Sequence, residues 1–143
     1  MSAQDNKAII RRAFEAMNSQ DLSVFEQIMA PGYVNHDMPT PAPGPEGFKA
    51  IVGAFFAAFP DMRITLEAQL ADGDLVANRG VFTGTHRGEF MGVPATGKQV
   101  TMQFMDMWRL ENGQAVENWV RLDMLGLMTQ LGMVAPPPGP GSP

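Results

Sequence analysis

Cysteine is absent from the 143 residues, which excludes a disulfide framework, a thiolate metal site and a thiol nucleophile together. Histidine is nearly absent: His36 and His86 stand far apart, with none of the spacing of a metal site. Positive charge is scarce as well, with 10 Lys and Arg against 15 Asp and Glu, a net charge of −5 and a pI near 4.8. A nucleic-acid partner calls for a clustered basic patch, and only Arg11-Arg12 resembles one, so no such partner is expected. No run approaches the roughly 18 apolar residues of a membrane span. The start MSAQDNKAII lacks the basic and apolar regions of a secretory signal. These absences together lead to the expectation of a soluble, cytoplasmic protein with no membrane partner.

What is present is a chain long enough for one core. Residues 1–135 read as a single domain, and 136–143 (PPPGPGSP) as a Pro/Gly-rich tail without secondary structure. The charged share of 17% is low and the 12 Met are many, a combination that favours pocket surface lined by adaptable side chains.

Ser2 and Asp5 form a helix-capping start, followed by Ile9, Ile10, Ala13, Phe14 and Met17 at helical spacing. A shorter helix is expected from Asp21, carrying Leu22, Phe25, Ile28 and Met29 and stopped by Pro31-Gly32. Tyr33 to His36 reads as a short extended piece, and the proline-rich Met38 to Pro45 as a stiff loop. Pro45 suits the first turn of a third helix with an aromatic stripe of Phe48, Phe55, Phe56 and Phe59. From Met62 the pattern turns to strands: Arg63 to Leu70, Leu75 to Thr85, Gln99 to Leu110 and Gln114 to Asp123, with hairpin signals at Asp72-Gly73 and Asn112-Gly113. A short helix closes over Met124 to Leu131. Three helices, a four-stranded antiparallel meander and a closing helix make an α+β fold, with helices on one face of a curved sheet.

The last strand places Glu117, Trp119, Arg121 and Asp123 on one face, and that face is expected to be covered and to carry the chemistry. Asp123 reads two ways: a general base beside an apolar cavity, or a helix N-cap. Arg79, in mid-strand, is expected to pair with Glu117 or Asp123, either as a structural ion pair or as a substrate anchor. His36, before the proline loop, suits a proton carrier at a pocket mouth or an ordinary surface histidine. His86, in a long hairpin connection, reads as an ordinary loop histidine or as a pocket residue, while the side chains of Phe55, Phe59, Met105 and Met107 are core by default and pocket lining in the sharper reading.

In this order, Asn35-His36-Asp37, Pro45-Glu46-Gly47, Ala58-Phe59-Pro60-Asp61, Gly84-Thr85-His86-Arg87-Gly88 and Glu117-Asn118-Trp119 through Asp123 to Leu127 resemble the SnoaL-like polyketide cyclase family, of the nuclear-transport-factor-2-like superfamily. Two positions depart from that family: Asn118 stands where it usually has His, and Ala95 where it has a second Pro. The resemblance implies a cone-shaped domain around an apolar pocket for a small hydrophobic molecule, a homodimer, and no metal or cofactor. It implies ring closure of a polyketide ester by intramolecular aldol condensation. Asp123 matches the base, with Trp119, Asn35 or His36 as donors to the enolate. Epoxide hydrolysis or isomerisation on the same fold, and a non-catalytic binding or dimerisation module, are the alternatives.

Overall fold

A computed structural model describes residues 2–134 of the chain; the expected tail at 136–143 lies outside them. Helix α1 (Ala3–Ser19) begins as the sequence requires. The Ser2 hydroxyl accepts from the Asp5 amide at 3.0 Å and the Asp5 carboxylate from the Ser2 amide at 3.1 Å, so the first orphan N–H groups are satisfied reciprocally. Its apolar stripe of Ile10, Ala13, Phe14 and Met17 is buried. After a 3₁₀ turn at Leu22–Val24, α2 spans only Phe25–Ile28.

Met29 already belongs to a strand. Strand β1 (Met29–Asn35) contains Pro31-Gly32 and pairs in parallel with the last strand, Asn35 facing Asn118. The proline is tolerated because β1 lies at the sheet edge, where a missing N–H costs no ladder bond. The expected four-stranded meander is therefore a five-stranded sheet.

Helix α3 (Gly44–Ala58) starts at a close approach: Gly44 has φ +72°, and a β-carbon there would lie 2.3 Å from the Pro31 carbonyl oxygen. Only glycine meets both demands. The sheet continues with β2 (Arg63–Asp72), β3 (Leu75–Thr85), β4 (Gln99–Glu111) and β5 (Gln114–Leu122) in the order β1-β5-β4-β3-β2. The β4–β5 turn has both central residues at positive φ, Asn112 at +50° and Gly113 at +78°, the mirror-image turn that matches strand twist.

Alternation along β4 divides the sheet. Val100, Met102, Phe104, Asp106, Trp108 and Leu110 are buried under the helices, while Met105 and Met107 face outward. Two apolar clusters result: one joins α1, β1 and Trp108, the other gathers Phe59, Phe82, Phe90 and Met102.

Helix α4 (Met124–Gln130) closes the chain. β5 leaves β4 after Leu122 pairs with Phe104, and the Asp123 amide still donates to the Gln103 carbonyl at 3.0 Å. Beyond it, the Gln130 side-chain amide accepts from Thr101 N–H at 2.8 Å and donates to Thr101 C=O at 2.7 Å.

Candidate functional site

Between the two clusters, under α3, lies a chamber in two connected parts. The inner part, about 100 Å³, has walls of Phe14, Phe48, Val52, Met62, Phe82 and Met102. The outer vestibule, about 530 Å³, opens past Met38, Pro39, Met91 and Met124. Met38, Ile51, Phe55, Val120 and Leu122 line both, so the two form one path from solvent to the sheet.

Polar groups gather at the inner end. Asp106 is 8% exposed; one carboxylate oxygen accepts from the Asn78 amide at 2.7 Å and the other from the Trp108 indole N–H at 3.0 Å. Burial pushes the Asp106 carboxyl up to about 6, with the hydrogen bonds from Asn78 and Trp108 opposing the rise. Both donors are neutral, so nothing offsets desolvation with charge. The amide oxygen of Asn78, Oδ1, is buried with no hydrogen-bond partner.

Beside this carboxylate, the Tyr33 hydroxyl donates to Asn118 Oδ1, and the Tyr33 ring stacks on Trp108 at 6.1 Å. Burial raises the Tyr33 phenol well above its ordinary range; a hydrogen bond with Asn35 opposes that shift and the charge of Asp106 adds to it. Asn35 lines the chamber. Its oxygen also accepts from the amides of Asp37 (3.0 Å) and Met38 (2.9 Å), so it starts the proline loop as well.

The final strand turns the opposite way from the expectation. Its chamber face is Asn118, Val120 and Leu122, and the face of Glu117, Trp119, Arg121 and Asp123 points away from the helices. The physical reason is charge: burying Glu117, Arg121 and Asp123 without partners costs more than burying Asn118, which Tyr33 satisfies.

Asp123 is exposed, caps α4 and accepts from the Gly126 amide at 3.0 Å. A β-carbon on Gly126 would lie 2.2 Å from that carboxylate, so glycine there makes room for the cap. His36 is outside too, stacked on Trp119 at 5.0 Å and 3.2 Å from Glu117. Arg109, not Arg79, holds Glu117, through Nη2 at 2.7 Å and Nε at 3.0 Å, and keeps its carboxyl below the usual range. Arg121 pairs with Asp37 at the vestibule, and Arg79 lies on the outer face with Met105 (60% exposed) and Met107 (39%). Of the expected aromatics, Phe55 lines the chamber, whereas Phe59 is fully enclosed against Phe82.

His86 is also fully buried, away from the chamber, with Nδ1 accepting from the Thr96 amide at 3.2 Å. Among the described residues no group of three or more His, Asp or Glu side chains converges as a metal site would require, and no helix is long and apolar enough to cross a membrane.

Sequence reasoning passed over Asp106 and Asn78. Their signal was in the alternation: each interrupts the apolar face of its strand, Asp106 between Phe104 and Trp108, and Asn78 between Val76 and Gly80.

Comparison with known proteins agrees with this architecture. A model of the family described as SnoaL-like polyketide cyclase matches residues 7–131. The aklanonic acid methyl ester cyclase DnrD of Streptomyces peucetius is 29% identical over 136 residues, covering 91% of this chain and 92% of its own. Two solved structures are similar. IdmH of Streptomyces antibioticus, a candidate polyketide cyclase, is 38% identical over 89% of this chain and 98% of its own, with a TM-score of 0.77. AclR of Streptomyces galilaeus, a candidate hydroxylase, is 30% identical over 96% and 87%, with a TM-score of 0.85.

Proposed function

The chain belongs to the SnoaL-like polyketide cyclase family, and from that premise we propose that it closes a ring in a small, uncharged polyketide-like ester by general acid–base catalysis, with Asp106 rather than Asp123 as the base. One observation carries the assignment: Asp106 is the carboxylate at the inner end of an apolar chamber, held by two neutral donors and raised to about 6. A base poised there is largely ionised at pH 7 and still basic enough to take a proton from carbon.

In the proposed reaction, Asp106 removes the proton α to a carbonyl and keeps it, leaving an enolate. The enolate carbon attacks a second carbonyl of the same molecule, a carbon–carbon bond forms, and the resulting alkoxide takes the proton back from Asp106. With Asn118 Oδ1 occupied by Tyr33, the amide nitrogens of Asn118 and Asn35 are the donors assigned to the enolate oxygen. Asn78 serves the carboxylate in both states: it donates to the ionised form, and its buried Oδ1, turned inward, would accept the proton of the neutral acid. The apolar walls exclude water and fold the substrate so that carbon and carbonyl meet. No cofactor is assigned a part in this scheme.

The hydrolase or isomerase alternative rests on an arginine–carboxylate pair within the cavity. Arg79 lies on the outer face; the Arg121–Asp37 pair lines the vestibule, with the Arg121 side chain 77% exposed, and among the described residues no such pair lines the inner chamber, where Asp106 stands. We assign the outer sheet face, where Leu70, Met105 and Met107 are exposed beside Trp119, to a homodimer interface. Ring closure by wild type compared with Asp106→Asn and Asp123→Asn, on a panel of polyketide methyl esters, tests the assignment. It predicts loss in the first variant only.

A further inference from the structure

Two turns in this chain have nearly the same φ at their two central positions and differ in the first of those residues. At the β4–β5 hairpin, Asn112 and Gly113 have φ +50° and +78°; between Phe90 and Val93, Met91 and Gly92 have φ +49° and +81°. The second turn is closed by Phe90 N–H to Val93 C=O at 3.0 Å and Val93 N–H to Phe90 C=O at 2.8 Å. Its first central position is one that asparagine, aspartate and glycine adopt easily and a long unbranched side chain does not. Met91 is also 71% exposed, so neither backbone conformation nor burial favours methionine there.

The turn itself is firmly seated. Phe90 and Val93 are buried, and the Phe90 ring packs on Phe55 and Phe59 at 5.3 Å each. The Met91 side chain stands free, at the rim of the vestibule with Met38 and Met124. Position and chemistry together point outward from the fold toward a ligand.

We propose that Met91 is a specificity-determining residue, which closes over the non-reacting apolar body of the substrate while the reacting end lies in the inner chamber. The inference rests on the cyclase reading for which end reacts, and deepens it by naming the residue that holds the body of a substrate too large for the inner chamber. An inner volume of about 100 Å³ falls well short of the roughly 300–1,000 Å³ of pockets that enclose a ligand of several rings, so a larger body extends into the vestibule of about 530 Å³.

The test is binding of two uncharged probes to the full chain: tricyclic methyl anthraquinone-2-carboxylate, followed by tryptophan fluorescence, and one-ring methyl benzoate, followed by ligand-detected NMR. Met91→Asn should raise the melting temperature by a few degrees through relief of the backbone. It should weaken the tricyclic ester about tenfold, because a methionine contact is lost, and leave the one-ring ester unchanged. Met91→Leu should keep tricyclic affinity within about twofold of wild type, since apolar contact is retained. The proposal is overturned if wild type does not bind the tricyclic ester, if Met91→Asn binds it as wild type does, or if both probes weaken equally. Failure of the base assignment would appear elsewhere, as retained turnover in Asp106→Asn, and would leave the ratio of these affinities untouched.

Discussion

Asp106→Asn conserves shape and removes only the titrating group, so its effects can be worked out in advance. The wild-type carboxyl is raised from an ordinary 3.8 to about 6, chiefly by burial. Its ionised fraction, and with it the rate, should rise about tenfold per pH unit up to roughly pH 6 and level off above. Removing the base should lower the rate by about 10²- to 10⁴-fold, roughly 3–5 kcal/mol of barrier.

The same shift sets a stability term of definite sign. A carboxyl raised on folding contributes stability that is complete below pH 3.8 and lost as pH climbs through 6. The rise from 3.8 to about 6 amounts to about 3 kcal/mol. Asparagine abolishes that slope. Against this gain at pH 7, its NH₂ opposes one of the two donors, Asn78 or Trp108, at a cost of about 1–3 kcal/mol. The terms nearly cancel, so the variant should melt close to wild type at pH 7 and below it at pH 4. Initial rates from a methyl ester between pH 4.5 and 8.5, paired with thermal melts, measure both. Full activity in the variant, or a wild-type profile flat through pH 6, would refute the reasoning.

Other perturbations separate the remaining roles. Asn78→Leu takes a donor from the ionised carboxylate, so the acid limb of the pH–rate profile should move above pH 6. Asp123→Ala should cost about 1 kcal/mol as a lost helix cap, seen as a melting shift of a few degrees, with kcat near wild type. Met105→Glu puts a charge on the outer sheet face and should convert a dimer to monomers in sedimentation. An unchanged mass would remove that face from the interface.

Much of the fold was legible because its signals are local. The bounds of β2 to β5 follow from two-residue alternation, and Asn112-Gly113 reads as a turn because its φ values suit those residues. Strand β1 was only glimpsed as Tyr33 to His36: parallel pairing with β5 joins segments far apart in the chain, and Pro31 imitates a helix stop. The site was harder. On β5 both faces contain apolar residues, so alternation gave two faces without saying which is inside. The register with β4, which sets Asn118 against Trp108, decides it. Asp106 was passed over because one carboxylate in a strand has no spacing motif, and its meaning comes from Asn78 and Tyr33 on other strands.

The last helix has a consequence outside the chamber. Where β5 departs, β4 would present bare backbone groups to solvent, the kind of rim that recruits a strand from another molecule. Gln130 answers both groups of Thr101 with one side-chain amide, imitating the peptide unit of an absent neighbouring strand. Helix α4 therefore guards against self-templated association. Fraying it would show first as concentration-dependent aggregation, with the catalytic machinery still intact.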